Sequence, residues 1–169
     1  SLLLNIAYNL SVGNKSLRIF ECGRTYIAKS LPLEELPVEK NMLAIAVNEK
    51  GYDFFNLKGV VEGLLAKTSA EYKLVRSNKE FLHPGVSADM LCGDKIIASF
   101  GKIHPVVAKN YDVPADIVYA EIDTEFLAAL PEKKITTKAI SKYPIVERDI
   151  AIVVEESVTT AELLSSIKS

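Results

Sequence analysis

The chain has 169 residues, of which 49% are hydrophobic and 25% are charged, a composition typical of a globular protein with a buried core. Its 20 basic and 22 acidic residues give a net charge of −2, which excludes a chain-wide attraction to nucleic acid. Two cysteines, Cys22 and Cys92, are too few for a disulfide framework or a four-cysteine zinc site, so we predict buried core thiols in a reducing cytosol. No apolar run approaches the roughly 18 residues that span a bilayer and no signal peptide is evident, which predicts a soluble protein.

The first third of the chain reads as a helix and two strands. Apolar residues at helical spacing predict a helix over Ser1–Val12, and a mixed pattern predicts a strand over Leu17–Ile27 with Gly23 as a bulge. Ala28–Asn41, with its prolines and glutamates, predicts a solvated loop before a strand at Met42–Val47. The first helix pattern begins at the first residue and another is still in progress at the last. We therefore expect the chain to be a section cut from a longer protein.

A second, more amphipathic helix follows Asp53, which is expected to cap it. Its apolar residues recur at i, i+3 and i+4 spacing: Phe54, Leu57, Val60, Val61, Leu64 and Leu65. Gly59 and Gly63 lie four residues apart on the same helix. Because glycine costs a helix roughly 1 kcal/mol relative to alanine, we predict that these two permit close packing against a neighbouring element. A phosphate-binding loop is disfavoured because the lysine precedes the glycines.

The stretch FLHPGVSADMLCGDKIIASFGKIHP, Phe81–Pro105, predicts a β-hairpin at the centre of the chain. Two apolar runs, Ala88–Cys92 and Lys95–Phe100, meet at Gly93-Asp94, which is a two-residue turn signal. A histidine-proline pair stands outside each run, where proline restricts the preceding residue to extended conformations. The histidines are therefore expected at strand ends.

Both histidines of the chain, His83 and His104, precede a proline. With Cys92, Asp89 and Asp94 nearby, one interpretation is an enzyme that uses a histidine as general base. A histidine beside proline at a strand end is more often a structural hydrogen-bonding group, and no nucleophile elbow, phosphate loop or His-x-x-x-His spacing accompanies these two. We therefore predict no catalytic residue, no cofactor-binding residue and no metal ligand in this chain.

The remaining elements define the fold class. Tyr72–Arg76 and Ile117–Ile122 are expected strands, a short helix follows Pro105, and Thr124–Leu130 is an expected helix that Pro131 ends. Strands and helices do not alternate as in βαβ units. The pattern predicts an α+β fold with a mostly antiparallel sheet and flanking helices.

The composition changes at Pro131–Lys142, PEKKITTKAISK, which is polar and basic and predicts a linker. Beyond it, Arg148–Glu156 predicts an alternating strand and Thr160–Lys168 a helix. Basic residues in this part are candidate phosphate contacts, although a solvated lysine-rich linker is the more common role for such a run: Lys138, Lys142 and Arg148.

The blocks FLHPGVSADM and FGKIHPVVAKNYDV resemble the "HPG…SA" and "G-x-(L/I)-HP" signatures of the bacterial phenylalanyl-tRNA synthetase beta subunit. LRIFECGRTY, YDFFNLKGVVEGLL, VYAEIDTEFL and SKYPIVERDIAIVV resemble further blocks of that subunit's C-terminal half, in the same order. The signature residues of this chain are His83, Pro84, Gly85, Gly101, His104 and Pro105.

The resemblance implies a class II synthetase-like module without an active site over residues 1–131, a linker over 132–142 and a truncated ferredoxin-fold anticodon-binding domain over 143–169. It implies a cytoplasmic (αβ)₂ enzyme that joins phenylalanine to tRNA-Phe using ATP and Mg²⁺, with the aminoacylation site in the alpha subunit. This section would serve subunit assembly and tRNA positioning and would bind neither cofactor itself. Arg24 could hold ATP as class II arginines do, but a surface ion pair is its commoner role. A protein-interaction scaffold without a tRNA link is the alternative.

Overall fold

The computed structural model describes residues 2–134, 136–137, 143–144 and 146–168, and the chain divides into two compact units, residues 1–135 and 136–169. The strands of the first unit are β1 (Leu17–Ile27), β2 (Val38–Asn48), β3 (Lys73–Arg76), β4 (Leu82–Cys92), β5 (Lys95–Ile103) and β6 (Val118–Asp123). Its helices are α1 (Leu2–Ser11), α2 (Phe54–Leu65), α3 (Pro105–Asn110) and α4 (Thr124–Ala129). The strands form one sheet in the order β1-β2-β6-β5-β4-β3, with every neighbouring pair antiparallel. The predicted α+β fold with an antiparallel sheet is confirmed.

The sheet has a hydrophobic core on each face. On one face, α2 packs over the strands around Phe100, whose ring stacks on Phe54 with 5.4 Å between ring centroids. On the other face, α1 and α3 cover a second cluster that includes Ile6. Ala46 and Val47 are neighbours on β2 but belong to different clusters, because successive side chains of a strand point to opposite faces.

Helix α2 begins as the sequence predicts. The Asp53 carboxylate accepts hydrogen bonds from the backbone N–H groups of Phe55 and Asn56, and the Asn56 side chain accepts one from the Asp53 N–H. This reciprocal capping box satisfies donors that the first turn would otherwise leave free.

The packing prediction for the α2 glycines is wrong within this chain. Gly59 and Gly63 are exposed, and a Cβ added to either would meet nothing within 4 Å. Both lie away from Leu57 and Val61, which are fully buried against the sheet. Val60, expected in the apolar stripe, is also exposed.

The structure corrects three further predictions, namely a bulge at Gly23, a loop that extends to Asn41 and a buried Cys22. The pairing runs without a break from Leu17 opposite Asn48 to Ile27 opposite Val38, so Gly23 forms no bulge. The same pairing extends β2 back to Val38, inside the segment predicted as a loop. Cys22 is exposed because β1 is an edge strand, so it is not a core thiol. Cys92 is half-buried and packs against the core cluster around Phe100, so the prediction of a core position holds for this cysteine.

The second unit contains α5 (Thr160–Lys168), which matches the predicted helix. Thr159 and Glu162 cap its start: the Glu162 carboxylate accepts hydrogen bonds from the Thr159 N–H at 2.7 Å and hydroxyl at 2.8 Å. These bonds lower the pKa of Glu162. The strand predicted at Arg148–Glu156 does not form, and its apolar residues, such as Val153, are exposed. Backbone extension becomes a stable strand only when other strands and a hydrophobic face support it.

Within the part of the chain that the structure describes, every helix is too short or too polar to cross a bilayer.

Candidate functional site

The histidine-proline signature builds an excursion in β4. Strands β4 and β5 pair regularly from Ser87 opposite Gly101 to Met90 opposite Ala98. Between that region and the pair Leu82–Ile103, β4 inserts His83–Val86 against a single residue of β5. The extra residues must leave the plane of the ladder, as in a large bulge.

Gly101 makes room for this excursion. A Cβ built on Gly101 would lie 2.6 Å from the Ser87 Cα and even closer to the carbonyl oxygen of Val86. Both of those atoms belong to the backbone and cannot rotate away. Only glycine fits at this position, because the returning β4 backbone occupies the space of a side chain.

His83 fixes the start of the excursion. Its Nδ1 accepts a hydrogen bond from the Gly85 N–H at 3.0 Å. The intervening Pro84 has no N–H, and its carbonyl oxygen accepts two bonds from the Arg76 guanidinium, at 2.8 and 3.0 Å. The signature residues His83, Pro84 and Gly85 therefore form a turn that is held from both sides.

His104 repeats the same device at the start of α3. Its Nδ1 accepts from the Val106 N–H at 3.2 Å, across Pro105 at the first helical position. The backbone N–H of His104 donates to the Phe81 carbonyl at 2.9 Å, which connects this turn to the chain just before His83. His104 therefore acts as an N-cap in the way that a serine or aspartate usually does.

These contacts limit what the imidazoles can do chemically. Each Nδ1 uses its lone pair on a backbone N–H, so the hydrogen bonds assign the neutral rings of His83 and His104 to the tautomer with the proton on Nε2. A ring in this state has no free lone pair to accept a proton, which argues against the general-base interpretation. The structure places both histidines at a strand or helix end, as expected.

The other sequence-derived candidates do not join this site. Arg24 donates to Glu39 at 2.8 Å and more weakly to Asn41 at 3.4 Å, on the exposed strand β1. Arg148 is exposed in the second unit, whereas Lys138 and Lys142 lie outside the described residues. Across the described part of the chain, no three His, Cys, Asp or Glu side chains come close enough to share a metal ion.

A row of polar residues crosses the sheet and was not predicted. Asp89 lies opposite Ser99, and Ser99 lies opposite Glu121, so the three share one face of β4, β5 and β6. Asp89 and Ser99 are only 5% and 4% exposed. In the described residues, Asp89 Oδ1 and the Ser87 hydroxyl are buried without a hydrogen-bond partner. The signal available in the sequence was the polar alternation of Ser87 and Asp89 within an otherwise apolar strand.

The polar row continues into a cavity of about 600 Å³ lined in part by Ser99, Glu121 and Asp123. The carboxylates of Glu121 and Asp123 each interact with a neighbouring polar or charged side chain. The Tyr119 hydroxyl donates to Glu121 at 3.0 Å, and burial of the ring together with the negative charge of Glu121 raises the pKa of Tyr119. Lys95 lies 3.8 Å from the carboxylate of Asp123.

The fold is similar to part of an aminoacyl-tRNA synthetase. The structure is similar to pyrrolysyl-tRNA synthetase from Desulfitobacterium hafniense, with a TM-score of 0.57 over 75% of this chain and 46% of that one. The two sequences are 20% identical, so this likeness concerns the fold alone.

The particular family follows from the sequence comparisons. Residues 1–124 match the model of the phenylalanyl tRNA synthetase beta chain CLM domain. The phenylalanine–tRNA ligase beta subunit of Streptococcus pneumoniae R6 is 33% identical over 99% of this chain, and that of Bacillus subtilis is 35% identical over the same share. The chain belongs to the phenylalanyl-tRNA synthetase beta chain family, which confirms the resemblance. It spans 22% of the length of these relatives.

Proposed function

We propose that this chain is a non-catalytic section of a phenylalanine–tRNA ligase beta subunit that supports assembly with the alpha subunit and positions tRNA-Phe. The whole (αβ)₂ enzyme would act in the cytoplasm and join phenylalanine to its tRNA with ATP and Mg²⁺. The observation that carries the proposal is the use of both signature histidines as backbone acceptors. The residues that mark the family in this chain hold turns, which is a structural task.

The surroundings of Arg24 support the assignment of ATP and Mg²⁺ to the alpha subunit. Its guanidinium is already bound to Glu39 and Asn41, so binding a nucleotide phosphate would first require breaking that pair. We propose a structural, strand-bridging role for Arg24.

We further propose a class II synthetase-like module over residues 1–131, a linker over 132–142 and the start of a ferredoxin-fold anticodon-binding domain over 143–169. The division of the chain into units after residue 135 supports this organisation. The exposed apolar residues Ile150, Ile152 and Val153 support it too, because apolar residues of this kind are buried when a strand belongs to a sheet with a covered hydrophobic face. Lys138, Lys142 and Arg148 are proposed as weak phosphate contacts.

Co-purification with a matching alpha subunit tests the assembly role. We expect tagged alpha subunit to retain the 169-residue chain and a version that ends at Pro131 equally well, because the first unit carries the assembly surface. Retention of neither version would contradict the assembly role and favour the scaffold alternative. Retention of only the 169-residue version would move the assembly surface to the second unit.

A tRNA titration tests the positioning role of the second unit. Because no strand forms in the described residues of the second unit, we expect only weak binding that falls steeply with salt and does not distinguish tRNA-Phe from another tRNA. Arg148→Ala should lower the slope of log affinity against log salt by about one, and Lys50→Ala, at an exposed position of the first unit, serves as the matched control. Tight, tRNA-Phe-selective binding at physiological salt would contradict the proposal of weak phosphate contacts, and no binding at any salt concentration would contradict the positioning role.

A further inference from the structure

Strand β1 is one of the two edge strands of the sheet and, among the described residues, pairs only with β2. Its outer edge therefore presents the unpaired backbone groups of an 11-residue strand. Protein edges of this length are normally protected by lysine, proline or a bulge. β1 contains neither lysine nor proline, and its register with β2 is unbroken.

The side chains along this edge favour association. Phe20 is 73% exposed, and Tyr26 and Ile27 are also exposed. The two arginines of the strand do not carry free charge, because Arg18 is paired with Glu49 and Arg24 with Glu39 across the hairpin. An approaching strand would meet apolar surface and compensated charge.

The sequence of β1 is self-complementary. Two identical antiparallel strands related by a two-fold axis normal to the sheet overlap fully when residue numbers of opposite partners sum to 44, because β1 runs from 17 to 27. Cys22 then faces its own copy. On one face Arg18 lies opposite Tyr26 and Phe20 opposite Arg24, and on the other Leu17 lies opposite Ile27.

Each of these cross-strand pairs is favourable. Arg–aromatic pairs combine cation–π attraction with apolar contact, and Leu–Ile pairs bury apolar surface. The remaining charged residue, Glu21, lies opposite Gly23, so the register opposes no like charges. Gly23 has no role within the unbroken β1–β2 ladder, but in this register it leaves room for Glu21 of the second copy.

We propose that two copies of this chain associate edge to edge through β1, about a two-fold axis at Cys22, and join their sheets into one. The interface is isologous, so every pair occurs twice. The proposal is independent of the synthetase function, because it rests on the edge strand and its register alone.

Oxidative cross-linking tests the register. Opposed Cα atoms in an antiparallel ladder lie about 4.5 or 5.5 Å apart, within the range that a disulfide spans. Mild oxidation should therefore give a covalent dimer of the native chain and of Cys92→Ser, but not of Cys22→Ser. A dimer that forms through Cys92 instead, or no cross-linked dimer, would overturn the proposed register.

Sedimentation velocity over a concentration series tests the interface without oxidation. Phe20→Lys removes the aromatic ring opposite Arg24 at both symmetry-related positions, and we expect the dimer dissociation constant to rise about tenfold or more. Phe20→Tyr keeps an aromatic ring opposite Arg24, so its dissociation constant should stay within about threefold of the native value. Phe55→Lys is the matched control, because Phe55 is also 73% exposed but lies on α2.

Three results would overturn the proposal. One is a chain that remains monomeric at every concentration. Another is equal weakening by Phe20→Lys and Phe55→Lys, which would mean that general surface polarity controls association. The third is equal weakening by Phe20→Lys and Phe20→Tyr, since a register that places this ring against Arg24 must distinguish loss of the ring from its retention.

Discussion

The β4–β5 hairpin and helix α2 each contain glycine inside a regular element, where glycine is expected to lower stability. The surroundings of these glycines differ. Gly101 lies against the backbone of Val86 and Ser87, whereas Gly59 and Gly63 face open space. The histidine-proline turns explain the difference, because they push the β4 backbone into the volume that a side chain at Gly101 would fill. A glycine is structurally required only where another backbone takes the place of its Cβ.

The largest effect is expected from Gly101→Ala. The added methyl group would overlap backbone atoms of Val86 and Ser87, so either the excursion or the β5 strand must move. We expect a loss of about 3 kcal/mol in the free energy of unfolding, at the upper end of typical overpacking penalties. Urea denaturation followed by circular dichroism measures it. A loss no greater than that of an exposed strand substitution would mean that the excursion shifts freely.

The next largest effect concerns the second turn of the same region. His104→Ala removes the acceptor for the Val106 N–H, and we expect a loss of about 1 kcal/mol, as for other N-caps. His104→Asn should keep most of that stability, because the asparagine carbonyl oxygen can accept the same bond. Urea denaturation of both variants provides the measurement. Equal losses in the two would show that the ring matters for something other than this acceptor.

Alanine in place of the α2 glycines should raise stability, in contrast to Gly101→Ala. Gly59→Ala and Gly63→Ala each introduce a methyl group into open space, so the change in helix propensity should raise the free energy of unfolding by about 0.5–1 kcal/mol per site. The same denaturation experiment on each variant measures the gain. Destabilisation of the isolated chain by either substitution would restore the idea of a close packing contact.

The smallest effect is a pH dependence on the α2 side. The Tyr72 hydroxyl donates to Glu62 at 2.8 Å, and burial together with this bond raises the pKa of Tyr72 to about 12 from 10. Because the fold favours the neutral phenol, its contribution is complete below pH 10 and is lost as the pH rises toward 12. The stability difference between the native chain and Tyr72→Phe should therefore shrink over that interval. A difference that stays constant with pH would contradict the assignment.

The hairpin and helices could be predicted from sequence because their signals are local. Gly93-Asp94 marks the turn between β4 and β5, and Asp53 and Thr160–Lys168 mark helix positions that the structure confirms. The histidines were also expected at strand ends. Their use of Nδ1 on the N–H two residues ahead follows from the proline between, which removes the nearer donor.

The errors arose where an element depends on its neighbours. Alternation at Arg148–Glu156 resembles a strand, but no described strand pairs with it. Cysteine is usually a buried residue type, but Cys22 is exposed because β1 lies at the sheet edge. The row of Asp89, Ser99 and Glu121 depends on the registers of three strands, which no single segment encodes.

We propose that the signature histidines support the fold and take no part in catalysis. The most direct test is the kcat of aminoacylation by a complete beta subunit that carries His83→Asn and His104→Asn, assembled with its alpha subunit. Asparagine keeps the acceptor but cannot transfer a proton, so we expect kcat to stay within about twofold of the native value. A loss of about a hundredfold or more with assembly and unfolding free energy unchanged, the size expected for a missing general acid or base, would contradict the account.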